Sequence, residues 1–69
     1  MRNTDDVRRD PRPGDVLIYG PQWHRSRIQV TEIRRGCVIA FMNGVGDCSY
    51  LPNQWREWMA DAEVVHVAQ

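Results

Sequence analysis

The chain alternates between short apolar runs and polar turn segments, and one stretch near its C-terminal end has helical spacing. Short apolar runs bounded by Gly, Pro, Asn or Asp are typical of β-strands. The pattern predicts five strands, at residues 16–19, 25–34, 37–42, 48–51 and 64–67. It predicts one helix, which begins near Pro52 and lies between the last two strands.

The second strand does not keep one phase of alternation. Ile28 and Val30 alternate as one face of a strand would, but Ile33 is out of phase with them. One extra residue near Thr31 and Glu32 would restore the phase, so the pattern predicts a β-bulge there. We expect the bulge to bend the strand, as strands bend in small barrels.

The third strand is apolar at every position of segment 37–42. Uninterrupted apolar runs are typical of strands that are covered on both faces, so we expect this strand to be the central one. The Asn43-Gly44 pair follows it and readily adopts positive φ angles. That pair predicts a hairpin between the third and fourth strands.

The helical segment carries a heavy aromatic face. Its members share one side of a helix at three- and four-residue spacing, and they are Leu51, Trp55, Trp58, Met59 and Ala62. We expect this face, including both tryptophans, to pack in the core. The helix would then plug one end of a small barrel.

Four antiparallel strands, a short helix and a closing strand form the order found in Src-homology-3-like (SH3-like) barrels. The sequence therefore predicts a mainly β fold, a small SH3-like barrel of five antiparallel strands with one short helix before the last strand. Residues 1–10 are polar without a period and are predicted to be a flexible N-terminal tail. Residues 11–69 are predicted to be the barrel domain.

Composition favours a small soluble domain. The 69 residues are 42% hydrophobic and include three tryptophans, which excludes general disorder. No apolar run approaches the roughly 20 residues of a membrane span, and the first residues lack the apolar core of a secretory signal. We therefore expect a cytoplasmic protein without membrane contact, either a monomer or a homodimer.

Charge is balanced, with nine basic and nine acidic residues, so no overall field draws the chain to phosphate. All nine basic residues are arginines. A GC-rich coding bias explains this most simply, and the functional alternative is selection of guanidinium groups for bidentate or stacking contacts.

Neither metal nor catalytic chemistry is indicated. His24, Cys37, Cys48 and His66 lack the closely spaced ligand pairs of structural zinc sites, so no metal or other cofactor is expected. The hairpin would place both cysteines on one face but too far apart for a disulfide, so both are predicted to be reduced. No residue is predicted to be catalytic, and the protein is not expected to be an enzyme.

The candidate binding site is the first long loop with the start of the next strand, where SH3-like barrels commonly contact peptide or nucleic acid. It contains Trp23, His24, Arg25 and Arg27. Arg and Trp are the residue types most enriched at interface hot spots. The alternative is that Trp23 folds back over an open end of the barrel.

Two resemblances add context. Segment 13–21, which begins Pro13-Gly14-Asp15, together with segment 30–33, resembles the opening of the KOW motif of ribosomal and transcription-elongation barrels. The loop after it departs from that family's glycine- and lysine-rich pattern, on which the family's RNA contacts depend. Over most of the chain, the Pro-Gly-Asp opening and a helix with Trp55, Trp58 and Ala62 are similar to small phage- and prophage-encoded proteins. This resemblance implies a bacterial or phage setting.

The sequence favours a non-enzymatic macromolecular binding module of phage or prophage type, with protein as the favoured partner because net charge is neutral. The alternative is a nucleic-acid-binding, KOW-like barrel that uses Arg25, Arg27, Arg34 and Arg35. Salt dependence would separate the two, because phosphate contacts weaken steeply as salt rises.

Overall fold

One antiparallel sheet and two short helices make up the structure, which is a computed structural model that describes all of residues 1–69. In chain order the elements are α1 (Thr4–Arg9), β1 (Val16–Tyr19), β2 (Ser26–Arg34), β3 (Cys37–Met42), β4 (Gly46–Tyr50), α2 (Pro52–Trp58) and β5 (Glu63–His66). The strands lie in the order β4-β3-β2-β1-β5. The predicted five antiparallel strands are confirmed. A closed barrel is not, because β4 and β5 lie at opposite edges of an open sheet.

The predicted bulge in β2 is confirmed. Val30 pairs with Ala40 and Glu32 pairs with Ile39, so Thr31 is the additional residue. The Thr31 hydroxyl donates a hydrogen bond of 3.1 Å to the Ile39 carbonyl, which satisfies that group beside the irregularity. Because of this extra residue, Ile33 pairs with Val38 on the core face of the sheet, and Glu32 and Arg34 lie on the opposite face.

Only one face of the sheet is covered, which corrects the prediction for β3. Val38 and Ala40 are buried on the core face, whereas Phe41 on the other face is 46% exposed. The middle strand of the sheet is β2 and not β3. The apolar run was misleading because both helices contribute to the core on the same side, so the second face of β3 has no covering layer.

The predicted tail is instead helix α1. Asn3 and Asp6 form a reciprocal capping box, in which each side chain accepts a hydrogen bond from the other residue's amide, at 3.1 and 2.9 Å. Val7 is fully buried, and its carbonyl accepts a 3.1 Å hydrogen bond from the indole Nε1 of Trp55. A single apolar residue anchors this helix, which is why the segment shows no hydrophobic period.

A buried ion pair joins the segment before α1 to the residue that precedes β1. The Asp15 carboxylate is fully buried and accepts two hydrogen bonds from the Arg2 guanidinium, at 2.8 and 2.7 Å. It also accepts the amides of Arg12 and Ala68, at 2.8 and 2.7 Å. Burial favours a raised pKa for Asp15, but these bonds outweigh burial and lower the pKa below its ordinary value of 3.8.

Helix α2 buries less of its aromatic face than the spacing predicted. Trp55, Met59 and Ala62 are buried, as expected, but Trp58 is 54% exposed and Leu51 is also exposed. The helix ends at Trp58, so Met59 and Ala62 reach the core from the turn that follows and not from a continuous helical face. The expectation that Trp58 is a core residue is therefore wrong.

Both cysteines are free, but they do not share a face. Cys48 pairs with Ala40 and lies on the core side of the sheet. Cys37 alternates with Val38 and lies on the opposite side. The predicted geometry is corrected, because Met42 pairs with Gly46 across a turn of three residues, and this register places Cys48 opposite Ala40.

We predict that Asp15→Asn destabilises the protein severely. The substitution removes one charge of a buried pair and leaves Arg2 without its anion, which typically costs about 3–5 kcal/mol. The total free energy of unfolding of a small domain is only about 5–15 kcal/mol. Urea unfolding at neutral pH measures the loss, and Asp61→Asn, which changes an exposed carboxylate, serves as the matched control. Equal stability of the two variants would contradict the role given to this pair.

The same pair predicts the response to acid. Because the pKa of Asp15 is lowered on folding, its contribution to stability is complete above pH 3.8 and is lost as the pH falls through the lower folded value. We expect this contribution to remain unchanged down to about pH 4. Thermal melts of the wild type and of Asp15→Asn at a series of pH values measure this contribution as the difference in stability between the two proteins. A difference that already shrinks between about pH 6 and 5 would be inconsistent with a lowered pKa.

We predict that alanine substitutions of the two tryptophans of α2 lower the free energy of unfolding by different amounts. Trp55→Ala is expected to cost roughly 3–5 kcal/mol, because it empties the core and removes the bond to Val7. Trp58→Ala should cost about 1 kcal/mol, the value of its contact with Tyr19. Urea unfolding followed by circular dichroism compares them. If Trp55→Ala fails to fold, Trp55→Phe, which loses the hydrogen bond and part of the buried ring volume, provides the graded measurement. Equal losses for Trp55→Ala and Trp58→Ala would place both residues in the core.

Candidate functional site

The loop between β1 and β2 has a fixed backbone. The His24 amide donates a 2.9 Å hydrogen bond to the Pro21 carbonyl and closes a turn. Gly20 has φ +111°, and a Cβ atom placed on it would lie 2.5 Å from the His24 carbonyl oxygen. Only glycine permits this close approach. The chain therefore presents residues 21–24 on a closed, tightly constrained turn.

Trp23 projects from this turn and is 85% exposed. It does not cover an end of the core, so the alternative in which it acts as a lid is not observed. Its nearest aromatic neighbour is His24, with ring centroids 6.0 Å apart and ring planes at 44°. The two rings form a small aromatic surface at the tip of the loop.

The two arginines of the predicted site have different environments. Arg25 forms a 2.9 Å ion pair with Glu63, which connects the end of the loop to β5. Arg27 pairs with Ile18 in the sheet, so its side chain lies on the face opposite the core, and it forms no ion pair. The structure thus places Trp23 and His24 together, pairs Arg25 with Glu63 at the surface and leaves Arg27 without an ion pair.

The arginines proposed for nucleic-acid contact do not form a continuous free surface. The Arg34 guanidinium donates two hydrogen bonds to the Glu32 carboxylate, at 3.1 and 2.9 Å, and this interaction raises the pKa of Arg34. Arg35 lies in the turn after β2 with φ 54°. With Arg25 paired as well, two of the four arginines already bind carboxylates.

The sequence did not predict a second aromatic cluster, which lies between the end of β1 and the end of α2. Tyr19 and Trp58 lie with ring centroids 6.1 Å apart, and Trp58 is largely exposed. The neighbouring Tyr50 packs edge-on against Trp55 at 5.5 Å. Burial is the main cause that raises the pKa of Tyr50 to about 12, and electrostatic and hydrogen-bond interactions with Cys48 add to it. Strand and helix periodicity cannot show that a tyrosine at the end of one strand meets a distant helix.

The surface cavities lie away from the predicted site. One, of about 330 Å³, is lined by residues of α1 and α2, and another, of about 170 Å³, adjoins it near Pro11 and Gly36. Neither contains a residue of the loop. No three His, Cys, Asp or Glu side chains are grouped so as to hold a metal ion. Neither helix has the length and apolar character needed to cross a membrane.

We predict that Gly20→Ala disturbs the loop more than a comparable substitution elsewhere. An alanine there combines an unfavourable φ with a contact of 2.5 Å to the His24 carbonyl. Gly46→Ala is the matched control, because φ is +103° and nothing lies within 4 Å of the added atom. The control should cost about 1–2 kcal/mol and Gly20→Ala more. Thermal melts compare stability, and the Trp23 indole resonance reports the loop. Identical effects would show that the loop is not constrained by this contact.

Comparison of the chain with protein-family models, with curated proteins and with solved structures finds no match in any of the three. The resemblances to KOW barrels and to phage proteins stay predictions from the quoted motifs. Any functional inference therefore depends on the chain's own residues and their geometry.

Proposed function

We propose that the protein is a non-enzymatic binding module that recognises another protein through Trp23, His24 and Arg27, which we name the loop surface. The observation that carries this proposal is the 85% exposure of Trp23 on a constrained turn. A buried aromatic side chain removes about 150–250 Å² from water. At about 25 cal/mol per Å² this contributes roughly 4–6 kcal/mol, before the costs of association.

The constrained backbone supports recognition. A loop that is already ordered loses little conformational freedom when it binds, so more of the interaction energy appears as affinity. Gly20 and the hydrogen bond of the His24 amide hold the turn. The loop surface is therefore prepared before the partner arrives.

The residues also indicate the chemistry of the partner. Trp23 requires an apolar pocket, and Arg27 forms no ion pair within its own chain. A protein surface with an apolar pocket beside an Asp or Glu would complement both. Phosphate is less well matched, because the net charge of the chain is zero.

The setting belongs to the same proposal. We assign the fold to the SH3-like class in an open form, supported by the position of α2 directly before β5 and by the bend in β2. The motif resemblance supports a phage or prophage origin, and a cytoplasmic monomer or homodimer is the form in which we expect the module to act.

A site-specific crosslinker tests the proposal. A photoreactive benzoylphenylalanine replaces Gln22, which is exposed beside Trp23, and in the control protein it replaces Asn53, which is exposed on α2. We expect a protein adduct at position 22 only. The captured partner is then purified and its affinity is measured for the wild type, Trp23→Ala and Trp58→Ala.

Trp23→Ala should weaken binding by at least about 2 kcal/mol, which is the hot-spot threshold, without changing the melting temperature. Trp58→Ala removes another exposed tryptophan and should leave the affinity unchanged. Equal losses from the two substitutions would contradict the loop surface. A nucleic-acid adduct whose affinity falls steeply with salt would instead establish the alternative function.

A further inference from the structure

A polar groove between the two helices is separate from the loop surface. The cavity has a volume of about 330 Å³, and its lining contains three arginines, one carboxylate and one alanine, namely Arg8, Arg9, Arg56, Asp5 and Ala60. A protein of zero net charge thus concentrates a third of its basic residues at one concave site. This concentration of positive charge favours an anionic ligand.

Two of these arginines are held in place through their Nε atoms. The Nε of Arg8 donates a 3.0 Å hydrogen bond to the Ala62 carbonyl, and the Nε of Arg56 donates a 3.1 Å hydrogen bond to the Arg9 carbonyl. Each bond orients the planar guanidinium group while its terminal nitrogens stay free for other acceptors. Arg8 is also mostly buried, with 29% of its side chain exposed.

The terminal Nη nitrogens of the groove arginines form almost no hydrogen bonds within the protein. Only Nη1 of Arg8 has a partner, the Asp5 carboxylate, at a long 3.4 Å. The side chain of Asp5 is 75% exposed, so this carboxylate can turn into solvent at little cost. Both Nη atoms of Arg56 and the whole guanidinium group of Arg9 lack an acceptor. The groove therefore offers oriented cationic donors in excess of its own anions.

We propose that this groove binds a diphosphate group. Guanidinium groups match phosphate oxygens with paired hydrogen bonds, and pyrophosphate presents enough oxygens for all three arginines. The adjoining cavity of about 170 Å³ shares Arg9 and Arg56 with the groove, so a substituent on the diphosphate has space to continue past these residues. The ligand is either free pyrophosphate or the diphosphate of a nucleotide.

Nuclear magnetic resonance titration tests the site with inorganic pyrophosphate and with ADP, at ionic strength held constant with sodium chloride. The side-chain Nε–H signals of Arg8 and Arg56 are the reporters, because both groups donate hydrogen bonds to backbone carbonyls at the groove. We expect saturable shifts of both signals with pyrophosphate. Tighter binding of ADP would identify a nucleotide as the source of the diphosphate, and equal binding would identify the diphosphate alone.

Arg9→Gln is the informative variant, because its side chain holds no structural hydrogen bond and the fold should be unaffected. It is expected to weaken pyrophosphate binding at least about fivefold, as loss of a charge-assisted contact does. Arg34→Gln removes the same charge from the opposite side of the sheet and should change the affinity less than about twofold. Equal weakening by both variants would mean general charge attraction, and unsaturable or absent shifts would mean that no site exists. Either result overturns the proposal.

Discussion

The carboxylate of Asp15 is the constraint on which the rest of the structure depends. It is buried at the start of β1, where it binds the guanidinium group of Arg2 and the amides of Arg12 and Ala68. Arg2 in turn donates to the Ala68 carbonyl at 2.8 Å. A buried charge is tolerated only when it is fully paired, so the segment before α1 and the residues after β5 must both reach this point. One side chain thus connects the segment before α1, which no strand pairing holds, to the edge of the sheet where β1 pairs with β5.

This constraint positions the helices and, through them, the candidate sites. With Arg2 held at β1, α1 places Val7 against Trp55, whose indole donates to the Val7 carbonyl. The two helices cover one face of the sheet, and the polar groove lies between them. The loop surface depends on a different, local constraint, the approach of Gly20 to the His24 carbonyl. Because the two sites use separate elements, each can be altered without disturbing the other.

Local patterns predicted much of the sheet, and they failed where distant residues decide the outcome. The bounds of β1 and β3 and the bulge in β2 followed from alternation and turn residues, which act over a few positions. Helix α1 was missed because hydrophobic periodicity needs several apolar residues, and this helix has one. The Asn3 and Asp6 capping pair is the signal that identifies it. The groove was missed with it, since Arg8 and Arg9 were assigned to a tail.

The sequence by itself determined the strands, the position of α2 and the presence of a tryptophan in a turn, because each depends on neighbours close in the chain. Tertiary structure decided which side of each element is covered. Trp55 and Trp58 share the same helical spacing, yet one is buried and the other is 54% exposed. Helical spacing shows which residues share a face, but a side chain is buried only where another element packs against that face. Helix α2 ends at Trp58, and no other element fully covers this side chain. The same reason explains why the apolar strand β3 has one exposed side and why the exposure of Trp23 was visible only in the folded chain.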